Sequence, residues 1–421
     1  MSKLLLSKSQ EMDYISILDS NTQITHSRLP VDYINYDLIA GVDALEVLDV
    51  NMDAFNSLRA FHLQHQDWLF GYLSYDLKNE VEQLNSTNHD GICAASLCFF
   101  IPKYVLLLKG NKLVIHTYET KEKCKKFLAK LEKNSEEKIS SITLQKRESK
   151  DMYLQKIAQI KKHIQRGDIY EMNYCQEFFA RGIILNPAAI FQKLNKNTNT
   201  PFSSFLKLHH IYAMCASPER FIKKSGNQLI SQPIKGTRRR GENPEEDIML
   251  IEELTNSKKD VSENVMITDL VRNDLSITAT KGSVSVAELC GVYTFEKVHQ
   301  MITTITSEVD EKVHFSTILK SVFPMGSMTG APKLKTMELI EEFESFKRGM
   351  FSGAIGYITP KGDFDFNVVI RTILCNASTK YLSVGVGGAI TIKSDAEEEY
   401  EECLVKVKPI FEVLNFQLDE K

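Results

Sequence analysis

No run of apolar residues in this 421-residue chain approaches the ~20 needed to cross a bilayer as a helix. The opening Met1-Ser-Lys-Leu-Leu-Leu-Ser-Lys carries three leucines, but neither the apolar stretch nor the cleavage signal of a secretory leader. Eight cysteines are scattered without a Cys-x-x-Cys pair or zinc spacing, which suits free thiols in a reducing cytosol. Neither sign of charge dominates: the net charge is −4, so no overall basic field points to nucleic acid. A Gly-x-Gly-x-x-Gly fingerprint is missing. Gly326-Ser-Met-Thr-Gly-Ala-Pro-Lys333 fails as a phosphate loop, because Pro332 precedes the lysine and Leu334 stands where Ser or Thr must follow. What remains is a globular, cytoplasmic protein without membrane or nucleic-acid partners. It is 43% hydrophobic and 25% charged, with length for two or three domain-sized units.

The residues that are present divide the chain in two, at 1–145 and 146–415, with the polar stretch 133–150 as a linker. In the first part, Tyr104–Leu108 turning at Gly110-Asn111 into Leu113–Tyr118 predicts a hairpin. Gly71-Tyr-Leu-Ser-Tyr-Asp76 reads as a strand end with tyrosines on one face. In the second part, Tyr153, Ile157, Ile160 and Ile164 form one helical stripe that Gly167 stops. Residues 351–392 read as a three-stranded meander, which places Arg371 inside an apolar strand where it needs water or an anion. Glycines in Val384-Gly-Val-Gly-Gly-Ala-Ile mark either close approach by a ligand or sheet packing.

Several charged groups stand at informative spacings. Arg220 to Lys235 reads as a hairpin turning at Ser225-Gly226-Asn227, which sets Glu219 opposite Lys235 within one residue of register. Arg238, Arg239 and Arg240 follow closely, and cations beside an amine favour its neutral, nucleophilic form. The plainer alternative is a cross-strand ion pair beside a solvated basic turn. Asp260 and Glu263, like Glu399 and Glu402, are three residues apart in helical segments, so each pair shares one face. Two such faces together would suit Mg²⁺; apart, they are solvated acidic surface. Thr329 precedes a helix start near Pro332, either as its cap or beside amides that bind anions.

In order and spacing, these strings resemble the chorismate-utilising enzymes. The resemblance is carried by Ser217-Pro-Glu-Arg220, Pro233-Ile-Lys-Gly-Thr237 with Arg240-Gly241, Glu263–Asp274, Gly326–Lys333, Arg348-Gly with Gly353–Tyr357, Val369-Ile-Arg371 and Gly387–Glu402. It spans about residues 150–410 and implies an α+β fold of two large antiparallel β-sheets packed face to face, with helices outside. Within the family, Lys235 is similar to the lysine of the aminodeoxychorismate synthase large subunits, where anthranilate synthases usually carry alanine. The resemblance therefore implies attack of Lys235 on C2 of chorismate, with Glu219 as general acid at the C4 hydroxyl, followed by addition of ammonia at C4. It further implies Mg²⁺ held by Glu263, Glu399 and Glu402, with Asp260 nearby or through water. Arg371 and Tyr357 would hold the enolpyruvyl carboxylate with amides at Gly387 and Gly388, while Thr329 and His299 would line the substrate site.

This chain also departs from its family. Glu171 stands where water-using members carry a lysine base and ammonia users usually have glutamine. The Leu-Leu-Glu-Ser string of the family's tryptophan site is not evident, so no tryptophan feedback is expected. No Gly-x-Cys-x-Gly elbow occurs, which implies that ammonia comes from a separate glutamine amidotransferase subunit. Anthranilate synthase component I is the nearer alternative. A non-catalytic protein using Arg238–Arg240 on an anion is the more distant one.

Overall fold

The structure, a computed structural model, describes residues 1–21, 36–131 and 141–418. Its strands follow one antiparallel ladder that doubles back on itself. Glu171–Arg181 pairs with Tyr381–Ile390, and the ladder continues through Thr372–Asn376, Ile211–Ser217, Phe202–Leu208 and Tyr14–Asp19 to Leu38–Val50. Leu38–Val50 and its partner Leu97–Lys109 have 13 residues each, enough to serve both sheets. A register shift after Ala44 bends the first of them, as bulges do. From Leu97–Lys109 the ladder runs on through Leu69–Leu73, Ala354–Ile358, Phe364–Asn367, Arg220–Ser225 and Gln228–Gln232 to Val298–Glu308. This is the α+β arrangement expected, and the strands from before residue 145 form one block in it, joined at both ends to strands from after that residue.

Side-chain alternation shows where the cores sit. On Glu171–Arg181, Cys175 and Phe179 join the core that also holds Phe221, Ile355 and Phe366 of the other sheet. Met172, Tyr174, Phe178 and Ala180 instead face helices Lys150–Arg166 and Ala396–Val413. With a period of two, Glu171 falls on the face between the sheets. Helix Lys150–Arg166 forms as its stripe predicts, capped by Ser149 and ended by Gly167 in the left-handed region, burying Tyr153, Ile157 and Ile160. The hairpin turning at Gly110 is present too, with its first strand beginning earlier, at Leu97.

Three local expectations change. Residues 133–140 of the expected linker lie outside the described residues, while Thr143–Lys146 within it is a strand paired with Glu171–Arg181. Tyr75 starts a 3-10 turn rather than extending the strand that holds Tyr72. The meander at 351–392 is two separate hairpins, because the chain leaves its strand after Asn367 and Arg371 turns with φ of +51°. Arg371 thus lies at a corner between strands, its carbonyl accepting from the Ala216 amide at 3.2 Å.

Candidate active site

Glu219 and Lys235 come within electrostatic reach of each other, though by a different route from simple hairpin register. The hairpin turns at Gly226-Asn227, and its last pair is Arg220 with Gln232. Pro233 has no N–H to continue that ladder. Beyond it, Ile234–Arg239 pairs only with Val298–Glu308. Gly236, at φ +89°, lets the chain turn where a Cβ would stand 2.9 Å from Leu254 and 3.0 Å from Asp260. This seats Lys235 against the start of helix Lys258–Ser276.

Glu219 is fixed by its own backbone: its amide donates to Ser217 Oγ at 3.2 Å, and its carbonyl accepts from Val368 at 3.1 Å. Its buried carboxyl receives hydrogen bonds from Ser327 and the Ile234 amide and faces Lys235 and Arg371. Burial outweighs all four and pushes the carboxyl up to about 7, a value fit for an acid at neutral pH. A small cavity lies against it, lined by Ser231, Val271, Asp274, Met325 and Ser327.

Lys235 is not neutralised by its arginine neighbours. Arg238 is taken up by Glu253 at 2.8 Å and Asp260 at 2.9 Å, Arg239 by Glu246, and Arg240 by Asp247 at 2.7 Å. The Lys235 side chain, 10% exposed, donates instead to Glu171 Oε1 at 2.9 Å, and Glu171 is 1% exposed. Burial alone would lower the ammonium's pKa, but Glu171, Glu263 and Glu219 reverse this and raise it. At rest Lys235 is a cation.

The acidic faces of helices Lys258–Ser276 and Ala396–Val413 do approach each other. Lys259 stands among Glu399, Glu263 and Glu402, and its ion pair with Glu399 is 3.3 Å long. Glu263, pushed up to about 7 by burial, has Oε1 buried without a hydrogen-bond partner. Glu402 pairs with Lys406 at 2.7 Å, and Lys406 reaches the Gly387 carbonyl at 3.0 Å. Asp260 is turned to Arg238. Among the described residues, no three His, Cys, Asp or Glu side chains form a ready-made metal cluster.

The remaining expected residues spread outward. Gly388 faces Glu399, since a Cβ there would lie 3.1 Å from its Oε2, whereas Gly387 packs on Tyr174 and Cys175 of the neighbouring strand. Buried His299 is held by Asp247 at 2.8 Å and Thr294 at 2.9 Å. The Thr329 hydroxyl donates within its own turn, to Met325 and Gly326, and does not cap the next helix. Tyr357 packs on Trp68 and Phe70 and lines a second cavity with Tyr36, Phe202 and Asp365. Leu18-Asp19-Ser20 lines that cavity as well.

Sequence reasoning passed over Ser327, although it sits inside the Gly326–Lys333 string. It also passed over the Glu344–Arg348 pair, whose guanidinium holds the carbonyls of Met328 and Asn173 at 2.7 and 2.9 Å. That clamp ties the Ser327 loop to strand Glu171–Arg181.

The sequence pattern of chorismate binding enzymes matches residues 31–412. Aminodeoxychorismate synthase component 1 of Escherichia coli (strain K12) is 33% identical over 378 residues, which cover 88% of this chain and 83% of that protein. The protein of the same name from Salmonella typhimurium is 33% identical over 88% of this chain and 82% of its own. In fold, anthranilate synthase component I from Streptococcus pneumoniae TIGR4 aligns with a TM-score of 0.78 at 23% identity, over 88% of this chain and 91% of that one. With its acid, its lysine and its paired acidic helices all inside the matched span, this chain belongs to the family of chorismate-binding enzymes.

Proposed function

We propose that this chain aminates chorismate to 4-amino-4-deoxychorismate, as the large subunit of an aminodeoxychorismate synthase. One observation carries the reading: Lys235 and a carboxyl suited to donating a proton, Glu219, face each other at one buried site. In the reaction, the Lys235 amine attacks C2 of chorismate while Glu219 protonates the departing C4 hydroxyl. Ammonia then bonds to C4 and the lysine is expelled. Arg371, facing Glu219, supplies a cation for a substrate carboxylate.

The acidic helices suit a hard cation. Glu263 offers an unpartnered buried oxygen, and Glu399 and Glu402 face the same Lys259. Those three glutamates would hold Mg²⁺, which would neutralise charge on the substrate's ring carboxylate. Asp260, engaged by Arg238, would take part only through water. The ammonia donor in this reading is a glutamine amidotransferase partner. Its support is the missing nucleophile elbow, together with relatives whose names call them component 1.

The second reading, anthranilate synthesis, has the support of an anthranilate synthase component I-like protein of Synechocystis, 31% identical over 83% of this chain and 73% of its own, and is opposed by Lys235. Incubating the chain with chorismate, Mg²⁺ and an ammonium salt, then identifying products by mass spectrometry, separates the two. An aminated product that keeps its enolpyruvyl group is expected; anthranilate and released pyruvate would transfer the chain to the other branch.

A further inference from the structure

Lys235 cannot attack until it loses a proton, and its surroundings hold that proton on. Glu171 touches it, and Glu263 and Glu219 lie within electrostatic reach. Arg371 faces Glu219, while Lys259 and Glu399 face Glu263. Glu219 has its own proton to deliver, and Glu263 is a proposed metal ligand. Glu171 is therefore left as the acceptor in contact with the reacting nitrogen.

Its placement is firm. Glu171 opens strand Glu171–Arg181, and its backbone is paired with Ala331. The neighbouring Tyr170 amide donates to the Ala331 carbonyl at 2.7 Å. Gly330 packs so tightly that a Cβ would stand 2.1 Å from the Glu171 carbonyl oxygen.

Its hydrogen bonding differs from that of a structural acid. Glu177, on the same strand and the same face, is saturated by Ser383 at 2.6 Å, Tyr381 at 3.1 Å and Arg147 at 2.8 Å. In Glu171, Oε1 meets Lys235, while Oε2 is buried with no hydrogen-bond partner. Buried carboxylate oxygens are ordinarily satisfied, as those of Glu177 are, and the open oxygen sets Glu171 apart from that structural acid.

We infer that Glu171 is the base of the amination, taking a proton from the Lys235 ammonium to release the attacking amine. The inference rests on the proposed reaction, and its steps balance. The Lys235 N–H bond breaks and an O–H bond forms on Glu171. The freed pair on Nζ bonds to C2, the two conjugated ring double bonds shift towards C4, and the C4–O bond breaks. Glu219 supplies the proton with which the hydroxyl leaves as water. When ammonia bonds to C4 the double bonds shift back and the C2–N bond breaks. Lys235 then regains its proton from Glu171, and the new C4 ammonium returns one to Glu219.

Glu171→Gln separates this role from a merely electrostatic one, because the two predict opposite effects. Removing the negative charge makes the Lys235 amine easier to form. A glutamate that only holds the ammonium would then leave turnover unchanged or faster, with the pH–rate profile moved to lower pH. A base predicts a kcat for ammonia-dependent amination lower by at least about 100-fold, with the KM for chorismate changed less than about threefold. The variant's rate should then rise with pH, as solvent takes over the proton, up to the fall above about pH 7 that loss of the Glu219 proton imposes. If the Gln variant does not fold, Glu171→Asp carries the test. Its shorter reach must slow appearance of the substrate-modified Lys235 peptide without loss of chorismate affinity; an unchanged rate overturns the inference. Should the wild-type chain make no aminated product, the reaction itself fails; should it do so while Glu171→Gln matches it, only the base is lost.

Discussion

Glu219 illustrates how one buried side chain couples chemistry to pH. Its carboxyl titrates at about 7 because burial disfavours the anion. Turnover that needs the protonated acid should fall above about pH 7, an alkaline limb that Glu219→Gln should abolish along with most activity. Stability has its own sign. Between its ordinary value of about 4.3 and about 7, the folded chain holds this proton and the unfolded chain does not, so stability falls as pH rises through that window. Metal-free Glu219→Gln should therefore lose less stability than wild type between pH 5 and 8, by up to roughly 3 kcal/mol in chemical denaturation. Equal losses would show that the acid is not held neutral. At this scale the sequence was informative about identity and poor about pairing. Lys235 and Glu219 stood out from their strings, but Glu171 is 64 positions from Lys235 and no local pattern joins them. The arginines beside Lys235 look like its electrostatic neighbours only until their own acids are placed.

Secondary-structure elements were legible where the signal is local. A helical stripe with its glycine stop, and two glycine-turned hairpins, formed as patterned. The failures came where long-range pairing decides. Pro233 hands the chain to Val298–Glu308, and the corner at Arg371 breaks an apolar run that reads as continuous strand. The contact of Gly330 with strand Glu171–Arg181 is equally long-range and can be tested. Its φ of +146° and the 2.1 Å approach leave no room for a methyl group. Gly330→Ala should cost about 1–3 kcal/mol in urea denaturation and slow amination, since the strain falls on the Glu171 backbone. A variant with unchanged stability would mean that the loop yields freely.

The whole molecule is one ladder folded into two layers, which the resemblance implied and composition alone did not. Tyr14–Asp19 pairs with Phe202–Leu208, and Leu69–Leu73 with Ala354–Ile358, so N-terminal strands complete both sheets. Residues 146–421 expressed alone should therefore fail to give a monomeric, cooperatively unfolding core, as judged by gel filtration and circular dichroism. A well-folded fragment would show that the two parts are independent. No helix among the described residues is long and apolar enough to cross a membrane.

If Lys235 bonds to substrate, as proposed, mass spectrometry of acid-quenched turnover will catch that bond. With chorismate and Mg²⁺ but limiting ammonia, the proteolytic peptide containing Lys235 should gain the mass of chorismate less one water. Addition of ammonia should discharge it, and Lys235→Ala should bind chorismate without ever gaining the adduct. Steady formation of aminodeoxychorismate by Lys235→Ala at the wild-type rate, with no modified peptide in either protein, would contradict the account.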